Sequence, residues 1–183
     1  GDRDGKAERP FIDTTERVRD YFVARGNSTA RAYATNAATT PKKFSDGRDL
    51  PAELLKPTFG WNANAASIRT ILHDYQNYLV LHRDHAGIEG WGTPSFTTTD
   101  VDLIADMPTA TKGMLPVVLS INCSSGYFDQ ETDFFEDGKG VRTDNNLGWG
   151  AATYRNWSEE MLRRKGGAVG VIAASRISYS WHN

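Results

Sequence analysis

The chain has 183 residues, a net charge of −2 and a single cysteine. That length suits one domain with a sizeable core, and the near-neutral charge implies no general attraction to nucleic acid or to an anionic membrane. One cysteine excludes an internal disulfide framework and cysteine-cluster zinc sites, and no apolar run approaches the roughly 20 residues needed to span a bilayer.

The chain opens with Gly1-Asp2-Arg3-Asp4-Gly5, which reads either as part of an acidic cation-binding loop or as a solvated turn. Asp13-Thr14-Thr15-Glu16 predicts a helix start, with Asp13 as N-cap and Glu16 three residues on. Val18, Tyr21 and Phe22 mark one face of that helix, and Gly26 closes it. A short strand is expected over Thr29 to Ala34. Residues 36 to 62 are polar and punctuated by Pro41, Asp46-Gly47, Pro51 and Pro57, which predicts a long loop. Asn64 or Ser67 caps a second helix running to Tyr75, with Ile68, Ile71, Leu72 and Tyr75 on one side.

Tyr78-Leu79-Val80-Leu81 predicts a buried strand that runs directly into His82-Arg83-Asp84-His85-Ala86-Gly87. Residues 88 to 98 read as a Gly- and Thr-rich loop, and Thr99 to Ile104 as a short helix. Val117 to Ile121 is rich in β-branched residues and bounded by Pro116 and by Ser124-Ser125-Gly126. It predicts a second buried strand, ending at Cys123. Residues 124 to 156 form an acidic loop, Ser158 caps a helix through Lys165, and Ala168 to Ala173 forms a third strand. Strands alternating with helices argue a parallel or mostly parallel sheet with helices on both faces.

In open α/β sheets, chemistry collects beyond the carboxyl ends of the strands. Cys123 stands there after one strand and His85 after another, separated by one crossover. A thiol and an imidazole brought to one edge can run acyl transfer. The alternative for Cys123 is a buried, inert thiol. His82 competes with His85 as the base, and His82, Asp84 and His85 together are acceptable zinc ligands. Ser120 and Ser124 lack the Gly-x-Ser-x-Gly elbow of a serine nucleophile.

Three ordered blocks then carry a resemblance. They are His85 to Thr99, Pro116 to Phe128, and Gly167 to Ala174 followed by Ser178-Tyr179-Ser180-Trp181. Together they resemble the gingipain family of cysteine peptidases. The resemblance implies a caspase-like three-layer α/β/α sandwich with a mostly parallel sheet. It implies His85 as catalytic base, Cys123 as nucleophile, and the backbone N–H groups of Cys123 and Ala86 as the oxyanion hole. Ala86 stands where the family usually has glycine. Trp181 matches a tryptophan that lines the primary specificity pocket. The family also uses acidic residues upstream of the histidine, for which Asp2 and Asp4 are the candidates here. Asp129, Glu131 and Asp133 follow Cys123 and read either as favouring a basic substrate side chain or as solvated loop residues.

The expectation is a single peptidase-like catalytic domain over residues 1–183, part of a longer protein that is secreted or held at the cell surface. Its partners are a peptide or protein substrate and the other domains of the parent chain, with no nucleic acid and no membrane span. Catalysis takes no cofactor, and any calcium is structural. Two rival readings stand beside it: a catalytically impaired interaction or sorting module of the same fold, and a metal-dependent hydrolase built on His82, Asp84 and His85.

Overall fold

A computed structural model describes residues 10–74, 77–104, 114–127 and 155–178. Four helices are described: α1 (Phe11–Val23), α2 (Ala65–Asp74), α3 (Thr98–Ile104) and α4 (Trp157–Arg163). Three strands, β1 (Leu79–Arg83), β5 (Val117–Ile121) and β6 (Gly170–Ala173), form an all-parallel sheet in the order β1-β5-β6. Between β1 and α3 lie three two-residue strands, β2 (Ala86–Gly87), β3 (Gly90–Trp91) and β4 (Phe96–Thr97), paired antiparallel. The molecule is therefore a mixed α/β fold with a parallel sheet flanked by helices, consistent with the caspase-like arrangement.

The core follows from strand alternation. Val80, Val118 and Val171 are register partners, and they pack on Ile68 and Leu72 of α2, Val101 and Ile104 of α3, and Trp157 and Met161 of α4. Trp91 and Phe96 of the small sheet fill the same cluster. Helix α1 runs along β1 in the opposite direction. Its Phe11 lies under the Arg83 guanidinium, 5.2 Å from the ring centroid, and its Phe22 meets Tyr78 edge-on at 6.1 Å.

Local structure departs from the sequence expectation in several places. Helix α1 starts two residues before Asp13, with Pro10 at its N-cap. Glu16 makes no capping box. It is buried, accepting both guanidinium bonds of Arg31 at 2.9 and 2.7 Å and the Tyr33 hydroxyl at 2.5 Å. Burial and the neighbouring carboxylate both push the Tyr33 phenol upward. Tyr21 faces solvent instead of the core, with Arg25 stacked 3.4 Å from its ring centroid.

No strand covers residues 29–34; Ala34 makes only an isolated bridge to Asn62. The loop after it is held by a small core of its own, in which Leu50, Leu54 and Trp61 pack with Tyr33, Phe44 and Phe59. Asn64 caps α2 by accepting the Ser67 N–H at 3.0 Å, and Tyr75 lies outside the described residues. Residues 88–98 are the β3–β4 ribbon rather than a loop. Asn156, not Ser158, caps α4 by accepting the Glu159 N–H at 3.1 Å, while the Ser158 hydroxyl donates to the Ser125 carbonyl at 2.6 Å.

Helices α3 and α4 are tied by charge. Asp102 takes a two-pronged contact from Arg155 at 2.6 and 2.7 Å and pairs with Arg164. Glu160, with a side chain only 6% exposed, accepts from Arg155, Arg163 and Arg164. The Arg155 hydrogen bond leads the effects that hold the Glu160 carboxyl down at about 2, against burial that opposes them. A carboxylate depressed by folding stabilises the fold above its unfolded value of 4.5 and loses that contribution as the pH falls toward 2. Glu160→Gln is expected to lower unfolding free energy at neutral pH by about 1–3 kcal/mol and to flatten the acid limb between those two values. Urea unfolding across a pH series measures both effects.

Candidate active site

Residues beyond the carboxyl ends of β1 and β5 build the site. The two strands pair from Leu79↔Val117 to Arg83↔Ile121. His85 lies two residues past Arg83, and Cys123 two residues past Ile121. They therefore stand at the same separation in sequence as every pair in the register. Adjacent strands lie about 4.8 Å apart, and each of the two residues follows the last pair of this ladder, Arg83↔Ile121, by two positions.

Cys123 is half-buried at a sharp bend. Ser124 adopts the left-handed region at φ 50° and sends its N–H to the Arg176 carbonyl at 3.0 Å. The Cys123 thiol donates to the Ser178 carbonyl at 3.3 Å and accepts the Ser178 N–H at 3.5 Å. The segment after β6 thus lies directly against the sulfur.

His85 is held from three sides. Its ring meets Phe11 edge-on at 5.7 Å, its backbone N–H donates to Asp84 Oδ1 at 2.7 Å, and its carbonyl accepts the Gly92 N–H at 2.9 Å. Gly92 packs so closely that a Cβ there would stand 3.0 Å from the His85 oxygen and 3.5 Å from its Cβ.

The same contact fixes the orientation of Ala86. With Gly92 donating to His85, residues 85 and 92 form a hydrogen-bonded pair of the β2–β3 ladder. Antiparallel ladders alternate, so Ala86 and Trp91 are a non-hydrogen-bonded pair. The β3–β4 ladder agrees: Thr98 donates to Glu89, which turns the Trp91 backbone toward Phe96 and away from Ala86. The Ala86 N–H therefore points away from β3.

His82 has a different environment. It is buried on β1 opposite Ser120, its ring stacked on Trp91 at 4.3 Å and 3°. Its Nδ1 lies 2.8 Å from Asn122 Nδ2. Burial pulls its pKa down to about 3, with the Thr93 backbone carbonyl acting weakly the other way. An imidazole held neutral in this way does not change its charge near neutral pH. Of the two histidines left open by the sequence, His82 is packing and His85 is the one at the edge. The set His82, Asp84 and His85 does not converge, and among the described residues no group of three or more His, Cys, Asp and Glu is gathered to hold a metal ion.

Ser120 is fully buried and engaged by Trp91 Nε1–H at 2.8 Å, which places it in the core and away from any nucleophilic role. Trp181 lies outside the described residues, as do Asp2, Asp4, Asp129, Glu131 and Asp133. Sequence reasoning missed Asn122, Ser125 and Trp91 as one polar unit with Ser120. The available signal was a pair of polar residues, Ser120 and Asn122, at the alternate positions that follow Val118 on the buried face.

Residues 4–183 match the family model described as peptidase family C25. No curated protein and no solved structure matches the chain.

Because burial lowers the His82 pKa, its unfolded form takes up a proton first. Stability from this group is present above 6.5 and is lost as the pH falls from 6.5 toward about 3. A 15N-detected titration of the folded protein is expected to show no charge change at His82 down to about pH 4, whereas a midpoint near 6.5 would remove the distinction between the two histidines.

Proposed function

We propose, for a chain that belongs to peptidase family C25, the gingipain family of cysteine peptidases, a thiol endopeptidase chemistry run by Cys123 and His85. The observation that supports this reading is the common register offset: each of the two residues lies two positions past the last pair of neighbouring parallel strands. Cys123 Sγ attacks the scissile carbonyl carbon, and His85 takes the thiol proton. The carbonyl oxygen becomes an oxyanion stabilised by the N–H groups of Cys123 and Ala86. Collapse of this intermediate breaks the C–N bond, and His85 returns the proton to the leaving amine. Water activated by His85 then hydrolyses the thioester and releases the acid product.

The orientation of Ala86 supports its part. Its N–H is not used by β3, so the alanine that replaces the family's usual glycine still offers a donor. The remaining parts of the proposal are Trp181 in the primary specificity pocket, a peptide or protein substrate, and a parent chain that is secreted or attached to the cell surface. Catalysis takes no cofactor. The described residues do not assemble a calcium site, and no step is routed through that ion.

Two measurements test the reading. A peptidyl chloromethyl ketone is expected to label Cys123, located by mass spectrometry, and His85→Ala is expected to slow labelling by about 10²- to 10⁴-fold. Labelling at an undiminished rate in His85→Ala would remove the dyad, and an unreactive Cys123 in the parent would favour the impaired interaction module. Ala86→Pro deletes one N–H donor while leaving the β3 ladder intact. It should lower kcat by about 10²- to 10³-fold with KM little changed, and an unaltered kcat would take Ala86 out of the oxyanion hole.

A further inference from the structure

Beneath Cys123 lies a closed set of buried hydrogen bonds. Asn122 Nδ2 stands 2.8 Å from Ser120 Oγ and 2.8 Å from His82 Nδ1. Ser120 Oγ stands 2.9 Å from Ser125 Oγ, which donates to Asn122 Oδ1 at 2.6 Å. Trp91 Nε1–H adds a further donor on Ser120 Oγ at 2.8 Å. Ser120, Asn122, Ser125 and His82 are all buried.

Counting protons leaves two self-consistent directions. In one, the Asn122 amide donates to Ser120, Ser120 donates to Ser125, and Ser125 donates back to the Asn122 carbonyl. The second amide proton then goes to His82 Nδ1, and His82 carries its own proton on Nε2. In the other, the amide is turned over, every arrow reverses, and His82 donates from Nδ1. Both directions leave every member of the ring partnered, and His82 Nε2 has no hydrogen-bond partner in either. The first is the one in which the amide stands as the structure places it, with Nδ2 toward Ser120 and Oδ1 toward Ser125.

The chemistry that hangs on this ring is close by. The Asn122–Cys123 peptide carries the Cys123 N–H, and the next residue turns into the left-handed region. Holding the Asn122 side chain on three bonds fixes that peptide and the exit vector of the sulfur together. We infer that Asn122 is a positioning residue for the Cys123 nucleophile and its oxyanion N–H, held by a closed hydrogen-bond ring with Ser120 and Ser125 that His82 Nδ1 joins. The inference rests on the reading of Cys123 as nucleophile.

The test compares His82→Leu with His82→Asn in the full chain. Both lose the stack on Trp91, but the asparagine carbonyl restores an acceptor near the position of Nδ1. His82→Leu is expected to lower kcat by about 10²-fold with KM little changed, and His82→Asn to recover at least about tenfold of that loss. If His82→Leu fails to fold, Ser125→Ala opens the ring without touching His82 and should lower kcat in the same way. The 15N spectrum of the parent at neutral pH should show a single neutral tautomer of His82. Equal losses in the two His82 variants, or a loss confined to KM, overturn the positioning role. A mixture of tautomers or a charged ring beside a reactive Cys123 overturns the ring alone. An unreactive Cys123 in the parent overturns the nucleophile and the positioning role with it.

Discussion

Parallel pairing of β1 with β5 is the constraint on which this molecule depends. A parallel ladder has a single offset, and here that offset is shared by every pair from Leu79↔Val117 to Arg83↔Ile121. A one-residue slip would turn Val118 and Ser120 out of the core and put Leu119 in their place. It would also change the offset at which the segments after β1 and β5 leave the sheet. Core packing and the offset at the sheet's edge are therefore held by the same ladder. The apolar contacts of Val80, Val118 and Val171 with α2, α3 and α4 stabilise that register.

The core face of β5 pays a polar cost for reaching the edge, and the ring offsets it. Ser120 on that face, and Asn122 at the next inward position just past the strand, are hydrophilic and fully or nearly fully buried. Each unmet polar group there would cost about 1–3 kcal/mol. The small β2–β3–β4 sheet resolves this by bringing Trp91 over β5, where its indole N–H meets Ser120 and its ring covers His82. Gly90 makes that approach feasible, because a Cβ at its φ of 148° would run into the Phe96 carbonyl and the Thr97 backbone. The ribbon thus joins the His85 turn to the floor beneath Cys123 through one tryptophan.

Much of this was legible from residue patterns, and the failures share a cause. Val117 to Ile121 was readable because a β-branched run between Pro116 and a Ser-Ser-Gly turn has few other uses. Helix α3 was readable from its acidic first turn. Cys123 and His85 were readable as candidates because each follows a strand. What escaped was structure made by contacts far apart in sequence. Two-residue strands carry no periodicity to detect, so β2, β3 and β4 looked like loop. Glu16 looked like a capping residue, yet its partners are Arg31 and Tyr33, well beyond the first turn of α1. Residues 36–62 looked unstructured because their core is built from scattered single residues, Leu50, Leu54 and Trp61, with no repeat between them.

The choice between His82 and His85 shows how burial decides roles that sequence leaves equal. The two imidazoles are three residues apart on one chain segment, with the same intrinsic chemistry. His82 is closed in between Trp91 and Asn122, and removing water from its charged form keeps it uncharged at neutral pH. That neutrality suits an acceptor at Nδ1, since a charged ring would donate from both nitrogens and oppose the Asn122 amide. His85 follows Asp84 and is packed by Phe11 on one side and Gly92 on another, past the end of β1. One histidine is therefore closed into the packing beneath Cys123, and the other is only partly buried.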